Sequence, residues 1–225
     1  MLLFFSKYKI FGLVLLILSI IIISIIYQVL KPNEVLPIFQ PAKVNAELVD
    51  STIQHVKKYH IISNFSLINQ NGKTITQEDY KNKIYVADFF FTRCTNICIT
   101  MAYNMSELQE YYKDDTDMMF LSHSVTPEID SVAVLKKYAL NKGIIDKKWN
   151  VTTGSKEHIY ELARKSYMAV VEDGNGGEND FIHTEQFVLI DKERRIRGYY
   201  DGTEKKDMDK LKKDVALLKL AYTNK

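Results

Sequence analysis

The chain has 225 residues, 46% of them apolar, a formal net charge of +2 and two cysteines. That length accommodates one ordinary domain plus one extra segment. Lys, Arg, Asp and Glu alternate outside the apolar N-terminal stretch, so no basic stripe suited to nucleic acid is present and nucleic-acid partners are excluded.

Ile10 to Ile26 is an unbroken, chargeless run of Ile, Leu, Val, Phe, Gly and Ser, extended by Tyr27 to Leu30 before Lys31. About 20 helical residues at 1.5 Å each cross a hydrocarbon core of roughly 30 Å, so residues 1–31 are expected to form a single transmembrane anchor. Lys7 and Lys9 precede the run, whereas Lys31 is soon offset by Glu34. The positive-inside bias therefore puts the N-terminus in the cytoplasm and the remainder on the periplasmic side of the cell membrane. A cleaved signal peptide would need small residues at the cut site, and Tyr27 to Pro32 offers none. Residues 32–50 carry Pro32, Pro37 and Pro41 without sustained periodicity and read as an extended linker. The folded domain is expected over residues 51–225.

Within that domain Asn64 to Ile68 and Lys73 to Ile75 read as two strands around an Asn69 to Gly72 turn. Ile84 to Phe91 is nearly continuous in apolar and aromatic residues, broken only by Asp88, as expected of a central strand covered on both faces. Cys94, Cys98, Met101, Met105 and Leu108 recur at helical spacing and predict one helix face. Met118 to Ser122 predicts a strand, Asp130 to Leu140 a helix ending near Gly143, Glu157 to Ser166 a third helix, and Tyr167 to Val171 strand-like chain. Glu172 to Asp180 is a glycine-rich acidic loop. Gln186 to Ile190 and Arg195 to Tyr200 form a hairpin, and Met208, Leu211, Val215, Leu218 and Tyr222 make the core face of a last helix. The alternation is α/β with a terminal antiparallel hairpin.

Both cysteines lie in Thr92 to Met101, just past the buried strand. Four residues apart on a helix, Cys94 and Cys98 bring their sulfurs together at its first turn, where the positive end of the helix dipole favours thiolates able to attack or to ligate metal. A stabilising disulfide is the alternative, but closing so short a loop yields only about 2 kcal/mol. Two thiolates leave a metal site incomplete, and five histidines could complete it: His55, His60, His123, His158 and His183. His55 and His60 lie in the polar lead-in to the domain and His158 in a polar helix. His123 closes a strand whose carboxyl end faces the cysteine loop and is a reserve candidate. His183, between the glycine-rich loop and a strand, is the stronger one. Met101 and Met105 share the cysteine face but read as core, and Asp173, Asn175 and Glu178 do not match a complete calcium loop.

Three segments in order are similar to the Sco/SenC family of copper metallochaperones: Cys94-Thr-Asn-Ile-Cys98, Asp180-Phe-Ile-His183-Thr184 leading into Phe187 to Asp191, and Arg197 to Thr203. The resemblance covers about Asn64 to Tyr222. It implies a thioredoxin-like fold behind one N-terminal helix, and copper, as Cu(I) or Cu(II), held by Cys94, Cys98 and His183. It also implies a copper-receiving subunit of a respiratory cytochrome oxidase as partner, where the chain would supply or maintain the binuclear copper site. Family members usually carry proline after each cysteine, where this chain has Thr95 and Ile99, and an Asp-Pro pair where it has Thr126-Pro127. Such changes should alter rigidity and redox potential more than ligand identity.

Copper suits this donor set, since thiolate favours Cu(I) and imidazole suits either oxidation state, whereas a structural zinc site wants four ligands. The competing class is a thiol-disulfide oxidoreductase or redox sensor working through the Cys94/Cys98 pair. Thioredoxin-like enzymes place a cis-proline opposite their cysteines. The four prolines here, Pro32, Pro37, Pro41 and Pro127, leave that position to His183 or Thr184. A metallochaperone without an enzymatic reaction of its own is therefore the leading expectation.

Overall fold

The computed structural model describes residues 9–30, 35–44, 49–170 and 181–223. They fall into two units, one ending at Val35 and one beginning at Leu36. In the first, α1 (Lys9–Leu30) is a helix of 22 residues. At 1.5 Å per residue it is about 33 Å long, and it is apolar enough to cross a membrane. The flanking Lys7, Lys31 and Glu34 lie outside the described residues.

The second unit contains seven strands, β1 (Ser66–Asn69), β2 (Thr74–Thr76), β3 (Ile84–Phe90), β4 (Met118–Ser124), β5 (Trp149–Thr153), β6 (Gln186–Ile190) and β7 (Ile196–Asp201). Its helices are α2 (Ile97–Tyr111), α3 (Val132–Lys142), α4 (Lys156–Glu161) and α5 (Lys205–Thr223), with a π-helical turn, Leu162–Ser166, continuing α4. The sheet order is β2-β1-β5-β4-β3-β6-β7. β3, β4 and β5 run parallel, and the pairs at both sides are antiparallel. The α/β fold with a terminal hairpin is thus as the sequence predicts.

All seven residues of β3 are buried, because helices cover both faces of the sheet there. Ile84, Val86 and Phe90 pack with Met101, Met105 and Leu108 of α2 and with Met208, Leu211 and Val215 of α5. Tyr85, Ala87 and Phe89 point the other way, toward Ile159, Tyr160 and Tyr167. Each fully buried Leu, Ile, Phe or Met side chain contributes roughly 1.5–3 kcal/mol, and this sandwich fixes where β3 ends and the cysteine loop begins. α3 stops where expected, with Gly143 in the left-handed conformation (φ 66°) and its N–H bonded back into the last turn.

Several expectations need correction. The Trp149–Thr153 strand is absent from the sequence reading, and α3 starts at Val132 rather than Asp130. Tyr167 to Val170 is buried but forms no strand. Its amides turn back onto the preceding helix, Tyr167 N–H to Leu162 O at 2.8 Å and Ala169 N–H to Ala163 O at 3.0 Å. Val171 and the Glu172 to Asp180 loop lie outside the described residues. Part of the stretch expected as a linker belongs to this unit. Phe39 N–H donates to Ile196 O at 2.9 Å, its ring meets Tyr199 edge-on at 5.1 Å, and Arg197 donates to the Leu36 and Pro37 carbonyls at 2.6 and 2.9 Å.

His123 sits on the sheet face away from α2, wholly buried, stacked on Phe89 at 5.0 Å. Its ring nitrogens lie 3.4 Å from the Tyr167 hydroxyl and 3.3 Å from Thr152 Oγ1. Burial, then the nearby His158, hold its pKa down to about 3. A depressed histidine stabilises the fold above its unfolded value near 6.5, and that stability is lost as pH falls toward the folded value. At about 1.4 kcal/mol per pH unit, the native chain should lose about 2 kcal/mol relative to His123→Phe between pH 6.5 and 5. Urea denaturation of both chains across that range measures it; a constant difference would refute the assignment.

Candidate metal centre

β3 hands the chain to a short loop, Phe91 to Asn96, before α2 begins at Ile97. Cys94 therefore stands in the loop and Cys98 in the first turn of α2, which corrects the expectation that both lie on one helix. Both are free thiols, Cys94 partly exposed and Cys98 buried. They stand side by side nonetheless, each thiol shifting the pKa of the other. Asn96, the residue capping α2, makes no side-chain cap bond. The backbone amides of Asn96 and Cys98 instead act on the Cys94 sulfur and lower its pKa.

The two thiols are consequently unequal. Burial works to raise Cys94, but the Cys98 thiol and the two amides outweigh it and hold its pKa below the ordinary thiol value. Burial first, then the bond to Cys94 and the charges of Cys94 and Asp88, push Cys98 up to about 12. The expected lowering by the helix terminus thus holds for Cys94 and is overridden for Cys98. Cys94 is therefore the more readily ionised thiol, and Cys98 holds its proton.

Asp88, the interruption noted in the strand, lies beneath this pair. It is 4% exposed, and Ser122 Oγ donates to it while accepting from Trp149 Nε1 at 2.8 Å. Tyr138, packed on Phe90 at 5.0 Å, is pushed up by burial and then by Asp88, Cys98, Asp130 and Cys94. Ser122, Trp149 and Tyr138 carried no sequence signal as site residues, because each reads as ordinary core.

His183 is exposed, three residues before β6. Its segment runs beside the cysteine loop. Phe181 packs edge-on against Phe91 at 5.2 Å, and Thr184 Oγ1 donates to Ala169 O at 2.7 Å. Among the described residues no three His, Cys, Asp or Glu side chains gather closely enough to hold a metal ion. The structure thus joins Cys94 to Cys98 and brings the His183 segment alongside without closing the set. His123 lies across the sheet, His55 is exposed, and His60 bonds the Ser166 carbonyl at 2.8 Å. Met101 and Met105 are core, 1% and 0% exposed.

A mixed sheet with an unequal dithiol at the carboxyl end of its central strand defines a thioredoxin-like protein. The SCO1/SenC family profile matches residues 53–218, and the chain belongs to that family. It is 36% identical over 153 residues to the SCO1 protein homolog of Bacillus subtilis, covering 67% of this chain and 79% of that protein. Among solved structures it is similar to BsSco, a member of the Sco family of cytochrome c oxidase assembly proteins. There the identity is 34% and the TM-score 0.61, over 71% of this chain and 93% of the other. It is also similar to Bradyrhizobium japonicum ScoI with copper bound, at 25% identity and TM-score 0.54, over 68% and 98% of the two chains.

Burial, opposed by the Ser122 hydrogen bond, raises the Asp88 carboxyl to about 7. A carboxyl raised on folding gives stability that is complete below its unfolded value near 4 and lost as pH rises through 7. Between pH 4 and 7 the reduced native chain should therefore lose about 3 kcal/mol relative to Asp88→Asn, the opposite sign to His123. Parallel denaturation curves of the two chains would show the difference flat with pH if Asp88 were ionised throughout.

Proposed function

We propose that this chain is a membrane-anchored copper metallochaperone. Cys94, Cys98 and His183 bind copper and deliver it to the binuclear copper site of a respiratory cytochrome oxidase subunit. The observation that carries this reading is the adjacent pair of unequal thiols at the start of α2. Phe181 packed on Phe91 supports it by holding the His183 segment beside that pair. The donor chemistry fits, since two soft thiolates suit Cu(I) and an added imidazole suits Cu(II). The family, the copper-bound relative and the oxidase-assembly relative point the same way. Cargo must also leave, and a third donor on a separate segment allows the set to open without disturbing the dithiol. α1 anchors the chain with its N-terminus in the cytoplasm.

The inequality of the thiols also supports a second reading, reduction of a partner's disulfide. The Cys94 thiolate would attack one partner sulfur, forming a mixed disulfide and releasing the other as a thiol. Cys98 would then displace the first sulfur and close the Cys94–Cys98 disulfide, so two electrons pass to the partner.

The reduced full-length chain in detergent should take up one copper ion, and Cys94→Ser or Cys98→Ser should abolish this, because one thiolate and one imidazole are too few donors to compete with buffer ligands. His183→Ala should weaken Cu(II) more than Cu(I) and leave the disulfide able to form. Copper spectroscopy and thiol titration on the same variants test both halves; stoichiometric zinc with no copper uptake would refute the reading. Separately, a reporter fused after Lys225 should be active outside the cytoplasm, and cytoplasmic activity would reverse the orientation.

A further inference from the structure

The cysteine loop lacks the usual sources of rigidity. Thr95 and Ile99 follow the cysteines and leave φ free at both places, and α2 has no side-chain cap. Restraint comes instead from the loop between β4 and α3. There Asp130, 0% exposed, accepts four hydrogen bonds, from Thr92 Oγ1 at 2.5 Å, Thr92 N–H at 3.2 Å, Ser124 Oγ at 2.6 Å and Thr126 Oγ1 at 3.1 Å. Its own N–H bonds Thr126 O at 2.9 Å, so the carboxyl group is held from both ends. Half of its donors belong to Thr92, two residues before Cys94. A buried carboxylate is costly unless donors surround it, so Asp130 holds Thr92 as firmly as Thr92 holds Asp130.

We infer that Asp130 is a positioning residue for the dithiol. Its clasp on Thr92 fixes the loop so that the Cys94 sulfur stays against Cys98. Two groups held in contact act on each other at a high effective concentration, and loosening one segment lowers it. The same restraint presents both sulfurs together to a soft metal ion. Thr126 donates here too, so one carboxylate and three hydroxyls do the holding. The inference rests on Cys94 and Cys98 being the working pair of the proposed function, and not on the metal's identity.

The test is the equilibrium of the full-length chain in detergent with glutathione, in which two glutathione thiols become glutathione disulfide as the Cys94–Cys98 disulfide becomes two thiols. Thr92→Val keeps the side-chain shape and deletes the hydroxyl bond; Asp130→Asn places an amide donor among donors. Each should make the disulfide about tenfold easier to reduce, whereas Thr92→Ser, which keeps both bonds, should stay within about twofold of the native chain. A purely structural role would lower the denaturation midpoint and leave this equilibrium in place. A Thr92→Val equilibrium within about twofold of native overturns the inference, as does an equal shift in Thr92→Ser. Cu(I) titration of the same chains should show a parallel weakening in Thr92→Val. Failure of the native chain to bind Cu(I) would overturn the copper reading, while the clasp would still be decided by the glutathione equilibrium.

Discussion

A strand buried at every position has no water to turn to, and that condition on β3 governs the architecture around it. Apolar side chains satisfy it at six of the seven positions by packing alternately to the α2/α5 face and the α4 face. At Asp88 the strand carries a carboxyl group that must be kept neutral or bonded. Ser122 on the neighbouring parallel strand does the bonding, itself held by Trp149 on the strand beyond. The polar interior of β3, β4 and β5 is thus one connected unit, and the loop leaving β3 is where the reactive thiols emerge. Ligand sites at the carboxyl ends of parallel strands are general in such sheets, and here the position follows from where burial ends.

Much of this could be read from residue order. Six buried apolar and aromatic residues around Asp88 announce β3, and the spacing of Met101, Met105 and Leu108 announces the buried face of α2. Periodicity misplaced Cys94, because a four-residue spacing continues the helical stripe whether or not the backbone has begun to coil. The helix starts at Ile97, and Cys94 acts on Cys98 from the loop before it. β5 escaped for the opposite reason. Trp149-Asn-Val-Thr-Thr is half polar, and its burial depends on distant partners, with Asn69 donating to Asn150 and Gln70 bridging Trp149 O and Val151 N. Side-chain amides that complete a buried ladder look like surface residues until their partners are known.

The two buried titratable groups flanking the central strands pull in opposite directions. His123 on one face is kept neutral as a base and Asp88 on the other is kept neutral as an acid, each mainly by burial. Neither has a buried counter-ion, so each opposes folding in the pH range where its unfolded form is charged: His123 below about 6.5, Asp88 above about 4. Their costs therefore overlap across mildly acidic pH and separate outside it. Trading both for apolar residues would remove the penalties; burial chiefly keeps Cys98 protonated, and Asp88 adds to that only once it ionises.

On the proposed reading, the site draws its three donors from differently constrained stretches of chain. Cys98 is fixed by a helix packed on the core, Cys94 by a loop tied to Asp130, and His183 by a segment held through Phe181, the buried Ile182 and Thr184. Exposure to an incoming ligand increases from Cys98 to Cys94 to His183. A protein that stores a metal gains by making every donor rigid, since preorganisation lowers the entropy cost of binding. One that must surrender its cargo gains from a gradient of exposure, because the most exposed donor yields first and leaves a partner's ligand an open side. The sulfurs then remain paired while the exchange proceeds, and afterwards they are placed to pass two electrons to a partner's disulfide, which becomes two thiols as Cys94 and Cys98 close on each other.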